Sequence, residues 1–531
     1  MPPAQMSPTP PMTLFRNTMS VGGLTLLSRI FGFIRDALIA AVLGIGPAAD
    51  AFQAAFRLPN LFRRLFAEGA FNTAFVPMFS GALETEGADG AKKLAGRIMS
   101  WLVAAILIVT ILAEIFMEPV MMVFVPGFVG DPEKFELTVF LSRIMFPYLA
   151  CMSLMAAYGA ILNSLGKFFA AAFAPVLLNL VNIAVLVPLA IWTLENPADV
   201  AFWLGVAAMA GGIAQLALVF FTIRRAGFLP AIGMPRYTDE VRRFWLLALP
   251  AIAAGGIIQI NVFVGTVIAS QADAAIAIIA NADRLYQLPL GIIGIAIGTV
   301  LLPELSRHLS SGRDIEARAS QSQALQLSMV LTLPAAVALF TLAQPIVRVL
   351  FERGAFDAAA TVAVSHTLMG FSLGLPAFVL VRVLQPGFFS RKDTKTPTLI
   401  AGVSLIVNIG VSLTLFPHLE HIGIALATST SAWVNVGLLV LFLARRGHFR
   451  LEGREAMTLA GTLGVAITMG LALWALALLA GSVFAPGFFF PLQALALLAI
   501  CALGAGLYFA LLHVSGVQPL GAVLARLRRR R

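Results

Sequence analysis

Residues 169–193, FAAAFAPVLLNLVNIAVLVPLAIWT, contain no charged side chain. The hydrocarbon core of a bilayer takes a helix of roughly 20 apolar residues, so this stretch is long enough to cross it. Similar runs lie on both sides, near 18–44, 51–80, 94–117, 136–163, 200–223, 244–270, 274–305, 320–342, 361–389, 397–417, 422–444, 456–480 and 487–514, which makes fourteen in all. Lipid offers the backbone no water, so each run reads as a helix that closes its own hydrogen bonds. The expected fold class is an all-α membrane protein with 14 transmembrane helices.

Composition agrees. The chain is 59% hydrophobic and 12% charged, with mean hydropathy +0.92, whereas soluble domains are about 25% charged. Cys151 and Cys501 lie inside apolar runs and read as packing residues. The histidines are scattered and form no metal-binding spacing. Gly166-Lys167 is followed by Phe168, so no phosphate-binding loop forms there. The pattern points to a transporter, not an enzyme, and implies no cofactor or metal. Pro2, Pro3, Pro8, Pro10 and Pro11 crowd the start, and residues 1–17 read as a disordered tail.

Charge orients the spans. With the N-terminus inside, 25 of the 36 Lys and Arg residues fall in loops on the cytoplasmic side, and only Lys134, Arg348 and Arg353 fall opposite. That bias places both termini in the cytoplasm. It also accounts for the net charge of +10, so a nucleic-acid partner is not implied.

The two halves repeat at a spacing of 226–227 residues. Arg57-Leu58 corresponds to Arg284-Leu285, Val76-Pro77 to Leu302-Pro303, Glu118-Pro119 to Gln344-Pro345, and Val181-Asn182-Ile183 to Val407-Asn408-Ile409. Six spans separate equivalents, so two six-helix lobes should be related by a pseudo-twofold along the membrane normal. The expected organisation is an N-terminal lobe over 18–225, a C-terminal lobe over 240–446, two additional helices over 455–515, and a basic tail over 516–531. Paired lobes of this kind suit a transporter that rocks between two open states.

Eight basic residues remain at membrane depth: Arg29, Arg35, Arg57, Arg63, Arg64, Arg143, Arg284 and Arg382. An arginine at a helix centre costs roughly 2.5–3.5 kcal/mol on insertion scales, so such residues face water or a partner. Arg64 shares a helix face with Glu68, and Arg57 lies there too, which favours structural pairing for both. Arg29 and Asp36 share a face of the first span, with Arg35 about 120° round from Arg29 unless the helix bends near Gly32. Arg29, Arg35, Arg63 and Arg284 are left without an evident partner. Guanidinium binds phosphate oxygens through a planar fork and stays charged, so this set suits an anionic, phosphate-bearing ligand.

Several stretches resemble a known family. Ser28-Arg29-Ile30-Phe31-Gly32-Phe33-Ile34-Arg35-Asp36 resembles the first-span signature of the MurJ (MviN) lipid II flippases, within the multidrug/oligosaccharidyl-lipid/polysaccharide exporter superfamily. Leu58-Pro59-Asn60-Leu61-Phe62-Arg63-Arg64 with Phe66-Ala67-Glu68-Gly69-Ala70-Phe71 resembles the second-span motif. Ala282-Asp283-Arg284-Leu285 resembles the eighth, and Gln385-Pro386-Gly387-Phe388-Phe389-Ser390-Arg391 with Lys395-Thr396-Pro397 the end of the tenth. The resemblance implies flipping of undecaprenyl-diphosphate-linked GlcNAc-MurNAc-pentapeptide across the bacterial inner membrane, with lipid II and membrane lipids as partners alongside the peptidoglycan synthesis machinery. It assigns Arg29, Arg35, Arg63 and Arg284 to the substrate cavity. Asp36, Asn60 and Glu68 become cavity or gate-support residues, and Asp50 an acidic residue near the periplasmic gate. The two additional helices become a groove for the lipid tail. Some members carry acidic sodium ligands in spans seven and eleven; here those spans contain no Asp or Glu, and Asn408 is the nearest polar candidate. No ion site is therefore expected, and coupling to the membrane potential or an ion gradient stays open. Two rival readings are an exporter of another lipid-linked oligosaccharide and a non-transporting cell-wall scaffold, the second of which needs no buried arginines.

The orientation is testable by labelling. Tags at Gly87 and Arg531 should be sealed from external reagents in intact cells, while a tag at Asp131 should react. External labelling at Gly87 overturns the topology.

Overall fold

A computed structural model of the protein describes residues 11–64, 71–192, 194, 196–450 and 452–517. Among them every regular element is helical. In chain order these are α1 (Pro11–Leu43), α2 (Pro47–Arg63), α3 (Asn72–Thr85), α4 (Gly87–Ile115), α5 (Met117–Phe124), α6 (Pro132–Met145), α7 (Tyr148–Ser164), α8 (Phe169–Trp192), α9 (Pro197–Arg225) and α10 (Asp239–Ala269). Then follow α11 (Ala275–Pro289), α12 (Ile295–Ser310), α13 (Asp314–Thr341), α14 (Ala343–Phe351), α15 (Ala358–Leu384), α16 (Pro386–Phe389), α17 (Lys395–Arg445), α18 (Gly453–Leu479) and α19 (Phe490–Val514).

Nine helical segments among the described residues are long and apolar enough to cross a membrane, or ten if the bent halves of α10 count as one span. The fourteen expected runs map onto fewer segments for two reasons. α17 covers two of them, joined across a kink at Glu420. The first, second and eighth runs carry charges or breaks inside the window. α1 also begins at Pro11, inside the stretch expected to be a disordered tail. Proline is well tolerated in the first turn of a helix, where its missing N–H would have no partner anyway.

The chain forms two compact units, 1–267 and 268–531. The first is built on a phenylalanine ladder. Phe71 stacks on Phe75 at 4.7 Å and Phe75 on Phe79 at 5.5 Å, with Ile98, Met99, Tyr158 and Ile161 packed around them. α9 approaches its neighbours closely through a glycine pair. A Cβ at Gly211 would lie 2.5 Å from Leu178 Cδ1, and one at Gly212 would lie 2.5 Å from Tyr148 Cδ2.

The repeat seen in the sequence recurs in the element boundaries. α5 starts at Met117 and α14 at Ala343, α6 at Pro132 and α15 at Ala358, α8 at Phe169 and α17 at Lys395, each pair 226 residues apart. The capping chemistry repeats too. Asp131 accepts from the backbone N–H of Lys134, and Asp357 from that of Ala360, each offsetting an orphan donor of the first turn. α1 and α10 differ despite equivalent positions. α1 runs along α8, whereas α10 bends by 45° between Ile252 and Gly255. Pro250 and the Gly255-Gly256 pair supply the physical cause.

In the second unit, α18 and α19 share a core with α13 and α14. Ala466, Met469, Leu473, Phe484, Leu497, Ile500, Tyr508 and Leu512 pack with Val330, Leu342 and Val349. The pair is tied at three levels. Ser322 and Gln326 donate to the Glu455 carboxylate at one end. Arg348, paired with Glu352 at 2.8 Å, donates to the Phe484 carbonyl at the other. Between them the Tyr508 hydroxyl donates to the Val330 carbonyl at 2.8 Å. Pro334 lies four residues after Val330 and has no N–H to offer that carbonyl. Tyr508 thus replaces a missing helical donor from a neighbouring helix. The opposite faces of α18 and α19 are apolar and exposed, with Leu471, Trp474, Leu478, Leu495, Leu498 and Leu503 all more than half accessible, as lipid contact requires.

Tyr508→Phe should therefore destabilise the protein by about 1–3 kcal/mol, the cost of a buried acceptor left without a donor. Thermal unfolding of the purified protein reads this. Adding Pro334→Ala, which restores the helical N–H, should recover most of the loss. A Tyr508→Phe protein as stable as the parent rules the account out.

Candidate functional site

The site residues expected from sequence divide between the units, with Arg29, Arg35, Asp36, Asp50, Asn60 and Arg63 in the first and Arg284 in the second. Glu68, the expected partner of Arg64, lies outside the described residues.

On α1, Arg35 differs from the sequence expectation. It is not without a partner. Its Nε and Nη2 both donate to Asp36 Oδ1, at 3.0 and 2.7 Å, and its Nη1 donates to Asn179 Oδ1 at 2.9 Å. An i,i+1 pair is not expected from helical spacing, since neighbours point about 100° apart. It forms because the long arginine stem curls back to the short aspartate. Asn179 is buried on α8, and its Nδ2 donates to the Ser28 carbonyl at 2.9 Å. Gly32 admits this contact, since the Asn179 amide approaches to 3.4 Å of where a Cβ would sit. The asparagine therefore clips α8 to α1 and aims the guanidinium in one step. Three of the five guanidinium N–H groups are engaged and two remain. Arg29, two turns earlier, is half-buried and makes no hydrogen bond or ion pair among the described residues. With Arg35 neutralised by Asp36, Arg29 carries the net positive charge of this part of α1.

α2 repeats the device. Arg63 Nε donates to Asn60 Oδ1 at 3.1 Å, and Asn60 Nδ2 donates to the Phe56 carbonyl at 2.7 Å. An amide oxygen orients an arginine without cancelling its charge, unlike a carboxylate. Arg57, one turn before, donates to Thr266 Oγ1 at 3.3 Å, in keeping with a structural role. Arg64 is exposed.

At the start of α2, Asp50 is fully buried and its Oδ2 takes a 2.8 Å ion pair from Lys134 Nζ in the first turn of α6. The ammonium also sits 4.0 Å over the Phe128 ring. Asp50 suits a helix N-terminus, whereas a lysine there opposes the helix dipole. Sequence reading counted Lys134 only as a loop charge. It is buried, and it ties α2 to α6 at the end of the bundle away from the basic loops.

In the second unit, Arg284 is exposed on α11. The next turn of that helix is fixed by Tyr286, which packs on Phe371 at 4.9 Å and Phe378 at 5.3 Å of α15. Arg382 lays its stem against Gly294, where a Cβ would meet its Cδ at 2.8 Å. Between α15 and α17 the chain makes the short helix α16 and then a turn over 390–394. Arg391 donates to the Gly387 carbonyl, and Asp393 accepts from the Thr396 backbone at the start of α17. Partial burial opposes ionisation of Asp393, yet bonds from Thr396 and Arg446 bring its carboxyl down to about 2. Asn179 is the functional candidate that sequence reading passed over. Its signal was a polar amide in a span that otherwise needs none.

Comparison with known proteins gives one consistent answer. Residues 39–495 match the family described as lipid II flippase MurJ. A probable lipid II flippase MurJ from Rhizobium tropici is 50% identical over 453 residues, 84% of this chain and 85% of the relative. The lipid II flippase MurJ of Burkholderia cenocepacia is 34% identical over 96% of this chain and 98% of its own. Among solved structures, a lipid II flippase MurJ in an inward closed conformation superposes with TM-score 0.73 at 24% identity, covering 92% of this chain and 98% of that one. An inward-facing multidrug transporter of the MATE family superposes with TM-score 0.65 at 13% identity over 80% of this chain and 98% of its own. Those two likenesses concern the fold.

Asp50→Ala should cost about 3–5 kcal/mol, because it strands a buried ammonium. Asp50→Ala with Lys134→Met removes both charges and should regain most of that stability in thermal unfolding. If the double variant is no more stable than the single one, the pair is not what holds α2 to α6.

Proposed function

The chain belongs to the lipid II flippase MurJ family, and from that premise we propose that it carries lipid II from the cytoplasmic to the periplasmic leaflet of the bacterial inner membrane. It works as a transporter with two six-helix lobes, fourteen spans and both termini in the cytoplasm, and it alternates between inward-open and outward-open states. The observation that carries this reading is the extent of the family match, which includes the arginine-bearing α2 of the first unit and the arginine-bearing α11 of the second, while Arg29 and Arg35 precede it.

The chemistry of the site supports the same reading. Lipid II presents a diphosphate, and a diphosphate asks for cations held in place at membrane depth. Arg29, with no partner among the described residues, attracts it. Arg35 and Arg63 meet it with guanidinium groups already aimed by Asn179 and Asn60. Pre-aimed groups lose less freedom on binding than mobile ones. Arg284 of the second unit adds a guanidinium to the proposed substrate-binding set. The membrane potential favours outward movement of each negative charge by about 2.3 kcal/mol per 100 mV, and no resident ion is included in the cycle. α18 and α19 give the prenyl tail a hydrocarbon-facing surface while they move with the second unit. Asp50, Asn60, Asp36 and Glu68 support the gate and cavity, and the peptidoglycan synthesis machinery consumes the flipped product.

Two measurements test this. Depletion of the protein should leave lipid II inaccessible to reagents outside the inner membrane. Arg29→Ala, Arg35→Ala, Arg63→Ala and Arg284→Ala should each abolish rescue of depleted cells while protein level holds, and each should weaken binding of a diphosphate lipid roughly 10- to 100-fold, as loss of a charged hydrogen bond implies. Lysine at these positions should restore only part of the activity, because the ammonium lacks the fork. Full rescue by all four alanine variants overturns the assignment.

A further inference from the structure

Within the first unit, α4, α7 and the first half of α10 leave a seam unfilled. Phe71, Leu102, Ala105, Ile106, Val109, Leu149, Phe244, Trp245, Ala248 and Ile252 line a cleft with about 550 Å³ free of protein atoms, counted out to its open side. Every lining residue is apolar, so a hydrogen-bonding ligand has nothing to hold. From Leu102 to Val109 the cleft follows α4 for about 10 Å, which suits a hydrocarbon chain lying along a helix.

The end of the cleft near Leu102 adjoins a different chemistry. Trp101 precedes the first lining residue of α4, and its Nε1 donates to the Arg236 carbonyl at 3.1 Å while its ring meets Tyr237 edge-on at 6.4 Å. Trp and Tyr settle at the level of lipid headgroups, so this pair marks where hydrocarbon gives way to headgroup. The segment joining α9 to α10 is pinned there. The Gly233 N–H donates to Ser100 Oγ at 3.0 Å, and Gly96 makes room for the Ala231 carbonyl. Arg97 is satisfied by Glu240 at 2.6 Å. Arg236, Arg242 and Arg243 are exposed, and their side chains take no acidic partner among the described residues. Arg242 stands one turn above Trp245 on α10. A cleft lined by apolar residues thus ends beside a segment that carries three exposed guanidinium groups.

We propose that this cleft seats one acyl chain of an anionic glycerophospholipid from the leaflet beside the basic loops, with its phosphate held by Arg236, Arg242 and Arg243. The bound lipid fills the seam beside the half of α10 that precedes the bend and braces that half against α4 and α7. None of Arg29, Arg35 and Arg63 lines this cleft, and the proposal does not depend on what the protein transports.

The test uses the purified full-length protein in detergent, titrated with phosphatidylglycerol or phosphatidylcholine carrying brominated chains. Subtracting the signal of a Trp245→Phe variant isolates the fluorescence of Trp245. Brominated phosphatidylglycerol should half-quench that signal at a concentration at least about threefold lower than brominated phosphatidylcholine, since basic residues near the surface each favour anionic lipid. Arg236→Ala, Arg242→Ala and Arg243→Ala together should erase the preference; these side chains are exposed, so folding is not at stake. Ala105→Leu, which narrows the cleft, should reduce quenching by both lipids. Equal half-quenching by the two lipids, or unchanged quenching in Ala105→Leu, overturns the proposal. Displacement of the brominated lipid by one equivalent of a polyprenyl diphosphate also overturns it, because the cleft then belongs to the substrate.

Discussion

The absence of water from the hydrocarbon core governs everything else in this chain. Each backbone N–H and C=O must find its partner inside the protein, and the helix is the local way to do so. Prolines break that rule from within. Pro334 removes the donor that the Val330 carbonyl would have used, and the Tyr508 hydroxyl arrives from α19 to supply one. Pro250 together with Gly255-Gly256 has a different outcome, a 45° bend in α10. The same constraint on backbone bonding yields a tertiary clasp in one helix and a bend in another.

Charge in the same medium follows a related logic. An arginine at membrane depth is tolerated when something meets it, and the partner decides what the arginine can still do. Asp36 cancels the charge of Arg35 while Asn179 directs it. Asn60 directs Arg63 through an amide oxygen. Lys134 and Asp50 cancel each other in full burial and serve as a structural tie. An amide oxygen aims a guanidinium without itself carrying a charge, whereas a carboxylate both aims and neutralises it. The asparagines are therefore as much a part of the candidate site as the arginines they hold.

The internal repeat explains much of the architecture and also shows where it has diverged. Element starts 226 residues apart and matched aspartate caps mark the shared plan. α18 and α19 have no counterpart in the first unit. They are fastened to α13 and α14 at both ends and in the middle, through Glu455, Arg348 and Tyr508. The pair is therefore built into the packing of the second unit.

Much of this was legible in the sequence. Hydropathy alone pointed to a helical membrane protein, because long unbroken apolar runs suit spanning helices and not the alternating strands of a barrel. The constant offset revealed the repeat, and the short motifs revealed the family. Arginines in apolar runs stood out because their insertion cost demands a reason. Sequence spacing did not reveal the partners. Arg35 meets its own neighbour, since a long flexible side chain is not bound by helical periodicity. Asn179 lies 144 positions away from the arginine it holds, and Lys134 reaches Asp50 across 84. Periodicity reports which face of one helix is apolar. Which side chain of another helix approaches that face depends on how helices pack, and only the tertiary structure decides that.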